Sequence, residues 1–178
     1  QPATVEARPV VNDLSEAETR KLYIDLLLHE AGWTVTEQVG KIVPRQAGIE
    51  IEVQGMPNES GMGYADYVLF DADGTPLAVV EAKRTNVDAV AGRHQAELYA
   101  DCLAARYVCP RPVIYYTNGF ETNIIDGIGY PSRKVMGFHT IDELRRMIAQ
   151  RGRTDITDLQ ISDRITNRNY QKRMIESG

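Results

Sequence analysis

Long apolar runs are missing from this sequence. Nowhere do about 18 apolar residues follow one another, so no segment reaches the length of a membrane-spanning helix, and no membrane partner is expected. No secretory signal is visible at the start either, although a chain beginning at Gln1 is open to earlier trimming. Cysteine is scarce. Cys102 and Cys109 show no metal-type spacing, and they read as reduced thiols of a cytoplasmic protein. His29, His94 and His139 are scattered and match no zinc pattern. Positive charge is also short, with 20 Lys and Arg against 25 Asp and Glu and a net charge of −5, which argues against purely electrostatic nucleic-acid binding. The shortfall is uneven. From Arg145 to Arg173 eight Lys and Arg face three Asp and Glu, leaving twelve against twenty-two elsewhere, so the acidic body suits cations and the basic tail suits phosphates or a solvated helix.

What is present is enough apolar material, 43% of 178 residues, for one domain with an appendage. Ser15 and Glu18 form a capping-box pair at the start of a helix whose apolar stripe is Leu22, Tyr23, Leu26, Leu27 and Ala31, with Gly32 as its stop. Residues 33–39 alternate as a strand does, and 48–53 form another short one. A helix is expected over 88–106, a strand over 113–117, a further strand pair over 121–126 and 134–138, and a helix over 142–151. The order predicts an α/β fold, a mixed central β-sheet flanked by helices, with a parallel crossover between the strand at Glu81 and that at Val113.

The centre of the pattern is residues 63–83, GYADYVLFDADGTPLAVVEAK, two apolar strands meeting at Asp73-Gly74. A two-residue turn there pairs Phe70 with Leu77, Val68 with Val79 and Asp66 with Glu81, and alternation sets Glu81 and Lys83 on one face with Leu77 and Val79. Opposed like charges are destabilising, and a divalent cation between them is the simplest remedy. A solvated face neutralised by Lys83, or a longer loop that shifts the register, remains the alternative.

Asp66, fourteen residues, then Glu81-Ala82-Lys83 resembles the Asp…Glu-x-Lys signature of the PD-(D/E)XK nuclease superfamily. Gln95 and Tyr99, four apart on the next helix, resemble the Gln-x-x-x-Tyr element of one branch of it, while Ala65 departs from the superfamily's proline. More narrowly, the Glu18-Thr19-Arg20, Tyr23-Ile24-Asp25 and Ala31-Gly32-Trp33 elements, with EAKR, QAELYA and YYTNG, resemble the N-terminal nuclease domain of the restriction (R) subunit of type I restriction-modification enzymes.

The resemblance implies a restriction-endonuclease-like core over residues 1–151, with 152–178 a linker and the start of a truncated helicase/ATPase motor. It implies Asp66, Glu81, Lys83, Gln95 and Tyr99 as site residues, and Asp66 and Glu81 as ligands of Mg²⁺, with Mn²⁺ able to substitute. Glu18 is a candidate accessory residue at the metal or simply the capping-box acid. Lys83 is expected to hold the attacking water or stabilise phosphorane charge, and to be dispensable for folding. Arg168 and Gln171 match a segment that recognises adenine, so ATP is expected only in the full-length chain. The implied activity is endonucleolytic hydrolysis of double-stranded DNA during ATP-driven translocation, in complex with modification and specificity subunits. The alternatives are a non-catalytic DNA-binding or interaction module on a nuclease fold, and a free-standing nuclease.

Overall fold

The computed structural model describes residues 15–128 and 131–153. Seven strands form one mixed sheet in sequence order: β1 (Thr34–Val35), β2 (Gln46–Gln54), β3 (Met62–Phe70), β4 (Pro76–Ala82), β5 (Val113–Thr117), β6 (Thr122–Ile125) and β7 (Arg133–Val135). All neighbours are antiparallel except β1 with β2 and β4 with β5. The parallel β4–β5 pair is the expected crossover. It is bridged by a 3₁₀ turn (Ala89–Gly92) and helix α2 (Arg93–Tyr107). Every residue of β4 and β5 is buried, as a strand covered on both faces requires.

Two apolar layers enclose the sheet. Ile24 and Leu28 of helix α1 (16–30) pack on Tyr67, Leu69, Val80 and Tyr115, joined by Phe138 and by Leu144 of helix α3 (141–153). On the other face Ala96, Tyr99, Ala100 and Leu103 of α2, spaced by three and four residues, pack on Val68, Val79 and Ile114. Two alanines on that helix stripe bring its backbone near the sheet.

Helix α1 departs from the expected stripe. It runs as α-helix over Glu16–Thr19, as π-helix over Arg20–Ile24, and again as α-helix over Asp25–Glu30. The π segment adds a residue to one turn, so Thr19, Ile24 and Leu28 are the fully buried positions, while Leu22 and Leu26 are more than half exposed. The first expected strand shrinks to Thr34–Val35, and Gly32, at φ +83°, closes the helix as anticipated.

The hairpin turn also differs. Asp71 N–H donates to the Thr75 carbonyl at 2.8 Å and Gly74 N–H to the Asp71 carbonyl at 3.0 Å, so the loop spans residues 71–75 rather than two. The slack is taken up at a bulge: Phe70 pairs with Pro76 instead of Leu77, and Leu77 joins the layer opposite Val79. Beyond the bulge the expected register returns, with Leu69 opposite Ala78, Val68 opposite Val79 and Tyr67 opposite Val80.

The loop is tied to α3 by a fork of hydrogen bonds. Arg145 Nε donates to both Asp71 carboxylate oxygens at 3.0 and 3.1 Å, and Nη2 donates to Oδ1. The Arg145 bonds hold the Asp71 carboxyl below the usual carboxylate range, so its stabilisation is present above the unfolded value and is lost as pH falls through the folded one. Urea midpoints should therefore fall more steeply between about pH 5 and 3 for the wild type than for Arg145→Ala. Parallel curves would show that the pair is stability-neutral.

Candidate active site

Strand β4 carries Glu81 on the α2 face, continuing Val79, and delivers Lys83 two residues later on the same side. Lys83 Nζ donates to Glu81 Oε1 at 3.1 Å and to Gln95 Oε1 at 3.3 Å, and Gln95 Nε2 donates to the Tyr99 hydroxyl at 2.6 Å. Four of the residues picked out by spacing therefore form one hydrogen-bonded chain. Glu81 is 3% exposed and Tyr99 2%. Burial raises the Tyr99 phenol above its ordinary value, with the Glu81 and Asp66 charges acting the same way against the Gln95 bond, so Tyr99 is a neutral hydroxyl near both carboxylates. Two glycines make room for the chain. A Cβ on Gly92 would lie 3.2 Å from Glu81 Cγ and 3.5 Å from Lys83 Cε, and one on Gly63 would lie 2.7 Å from Tyr99 Cε1.

Asp66 reaches the site from β3. The β3–β4 pairing stops at Tyr67 and Val80, one step short of an Asp66–Glu81 pair, and the Asp66 side chain takes over: Oδ2 accepts the Ala82 N–H at 2.7 Å. Its other oxygen, Oδ1, accepts from Arg20 Nη1 at 2.9 Å, while Arg20 Nη2 donates to Glu50 Oε1 at 3.1 Å. The repulsion expected from opposed carboxylates is thus met by Arg20 on one side and Lys83 on the other.

Sequence reasoning missed Arg20 and Glu50 as site residues, although Arg20 stood within the matched Glu18-Thr19-Arg20 element. Glu50 has a left-handed backbone, φ +48°, which costs a residue with a Cβ about 1–3 kcal/mol and persists only where the surroundings enforce it. Its effect is visible in the layers: Ala47 and Ile49 pack with α1, but Ile51 and Val53 pack with α2. Across the ladder Tyr67 and Leu69 belong with α1 and Ala65 with α2, so both strands change face at the level of Glu50 and Asp66. Burial pulls the Arg20 guanidinium down, the Asp66 and Glu50 charges more than offset it, and the side chain is held firmly charged. Behind it opens a cleft of about 540 Å³ between Lys21, Asp25, Thr36, Glu37 and Tyr67. There the Tyr67 hydroxyl donates to Asp25, and burial raises the Asp25 carboxyl while the bond opposes it.

Glu18 follows the capping-box reading. Its Oε2 accepts from Ser15 N–H at 2.9 Å and from Ser15 Oγ at 2.8 Å, and it is not among the residues these site bonds bring together. Arg168 and Gln171 lie outside the described residues. Asn118 forms a turn, its Oδ1 accepting from Phe120 and Glu121 N–H and its Nδ2 donating to the Val87 carbonyl, beside the Lys83 N–H bond to Thr117.

The donor chemistry suits a hard divalent cation. Asp66 and Glu81 stand on the adjacent strands β3 and β4, and hydrogen bonding does not preclude ligation because a carboxylate offers about four lone-pair sites. Among the described residues no three His, Cys, Asp or Glu side chains gather as a ligand group. Mg²⁺ is ordinarily bound through one or two carboxylates, with water and phosphate oxygens completing the shell.

Residues 40–120 match the family described as the type I restriction enzyme EcoKI endonuclease subunit, second domain, and this segment contains Asp66, Glu81, Lys83, Gln95 and Tyr99. These likenesses support a nuclease domain of the kind found in the R subunit of type I restriction enzymes. It is 39% identical over 97 residues to the EcoKI endonuclease subunit of Escherichia coli (strain K12), covering 51% of this chain and 8% of that relative's length. A solved fragment assigned to an HsdR subunit of a type I restriction enzyme from Vibrio vulnificus YJ016 superposes with a TM-score of 0.58 at 27% identity, over 79% of this chain and 26% of that one. The chain has an α/β core consistent with the restriction-endonuclease-like fold, and it spans a small part of these relatives' length. Among its described residues no helix is long and apolar enough to cross a membrane.

Proposed function

We propose that this domain is the DNA-cutting part of a type I restriction enzyme, a metal-dependent endonuclease acting on double-stranded DNA. The observation that carries the reading is the Glu81–Lys83–Gln95–Tyr99 chain beside Asp66, inside the segment matched to the endonuclease-subunit family. Asp66 and Glu81 hold Mg²⁺ or Mn²⁺, which when bound polarises the scissile phosphate and acidifies a water. Lys83, kept in place by Glu81 and Gln95, brings an ammonium to the water or to the charge that develops on phosphorus. Tyr99 fixes the Gln95 amide so that its carbonyl oxygen faces Lys83. The site lies among β4, α2 and the 3₁₀ turn, where buried side chains restrict its motion. ATP use, and assembly with modification and specificity subunits, belong in this reading to the complete R subunit.

Calorimetric titration with Mn²⁺ tests it. Wild type should bind weakly in the absence of DNA, since phosphate oxygens belong to the complete shell, and Asp66→Asn and Glu81→Gln should reduce the heat to background. Wild-type binding in both variants would place any cation elsewhere and leave the two carboxylates as a charge-balanced part of the sheet.

A further inference from the structure

Two irregular pieces of backbone converge on Asp66. The π segment of α1 begins at Arg20, and the left-handed residue of β2 is Glu50, the acceptor of Arg20's second bond. Inserted π turns commonly mark functional positions, and a strained residue persists only where its surroundings enforce it. The π turn sets the phase of α1 so that Thr19 and Ile24 both face the sheet and Arg20 points along it to Asp66. The guanidinium is planar and presents its donors as a rigid fork, so one side chain spans Asp66 at 2.9 Å and Glu50 at 3.1 Å at once. Arg20 and Asp66 side chains are 21% and 17% exposed, and Glu50, at 43%, closes the arrangement from the solvent side.

We infer that Arg20, seated on Glu50, is a positioning residue that fixes the Asp66 carboxylate in its metal-binding orientation. The inference rests on the reading of Asp66 and Glu81 as a cation site. Charge alone predicts the opposite of what orientation predicts. A guanidinium beside a divalent cation repels it, so if Arg20 were only a counter-ion its removal would tighten metal binding. If it positions Asp66, removal releases the carboxylate to other rotamers and binding weakens. Partners that orient a ligating side chain typically contribute 10–100-fold to metal affinity.

Mn²⁺ affinity and melting temperature should be measured together for wild type, Arg20→Ala, Arg20→Lys, Glu50→Gln and Asp66→Asn. Arg20→Ala is expected to weaken Mn²⁺ binding by about 10-fold or more. Arg20→Lys should recover only part of the loss, because a single ammonium keeps the charge without the fork. Glu50→Gln, altered at an exposed side chain, should keep its fold and weaken binding by a few fold; it carries the test if Arg20→Ala does not fold. Unchanged or tighter binding in Arg20→Ala, or in Glu50→Gln where that variant carries the test, with Asp66→Asn inactive in binding, overturns the positioning role alone. Wild-type binding by Asp66→Asn, or none by the wild type, overturns the cation site and this inference with it.

Discussion

Replacing Lys83 by Ala should reduce DNA cleavage by the complete enzyme by a factor of about 10²–10³, the range for removing one electrostatic contact to a developing charge. That corresponds to about 3–4 kcal/mol of barrier. ATP hydrolysis and translocation by the motor expected in the full-length chain should stay near wild type, since nothing in this site serves them. The sequence places Lys83 at a partly exposed strand end, where a surface change costs within about 0.5 kcal/mol. The structure raises that figure. Lys83 and Glu81 side chains are only 19% and 5% exposed, so the variant leaves a largely buried carboxylate short of a partner, at about 1–3 kcal/mol. A domain of ordinary stability survives such a loss, which separates the two readouts. Plasmid cleavage and thermal melting of the same preparation decide it. Retained cleavage removes Lys83 from the mechanism, and loss of cleavage with a collapsed melting transition makes the residue structural.

Gly63→Val should be the most damaging single change at the site that replaces none of its polar side chains. A Cβ there meets Tyr99 Cε1 at 2.7 Å and its hydroxyl at 3.1 Å, and Tyr99 is buried and held by Gln95. Overpacking of this kind costs about 1–3 kcal/mol, which for a chain of this size lowers the melting temperature by roughly 2–12 °C. Because Tyr99 moves, Gln95 and then Lys83 lose their register, so cleavage should fall alongside stability. Adding Tyr99→Ala to Gly63→Val should relieve the clash and recover part of the melting temperature but not cleavage. No recovery in the double variant would show that the damage enters through the β3 backbone instead.

The candidate site was legible because it depends on short spacings that elements preserve. Glu81 and Lys83 are two apart on a strand, and Gln95 and Tyr99 are four apart on a helix, so each pair shares a face whatever the tertiary arrangement. Asp66 was placed through a hairpin whose assumed turn was wrong. The five-residue loop and the bulge at Phe70 offset one another, and the register beyond them came out as expected. What stayed hidden is backbone irregularity. A π segment at Arg20–Ile24 breaks the 3.6-residue period, so the stripe containing Leu22 and Leu26 pointed to the wrong face. The left-handed residue at Glu50 likewise breaks the period of two, and no turn-forming residue announces it. Both irregularities lead to Arg20 and Asp66, so the least readable part of the sequence is the part that fixes the first carboxylate.

Asp66 and Glu81 are expected to share one divalent cation. Anomalous scattering from crystals of the domain soaked in Mn²⁺ locates that ion without recourse to activity. A single strong peak is expected within about 2.1 Å of a carboxylate oxygen of each residue, lost in crystals of Asp66→Asn. A peak bound instead at Glu37 or Glu50 in the cleft behind Arg20, or none at Asp66 and Glu81 under saturating Mn²⁺, would contradict it.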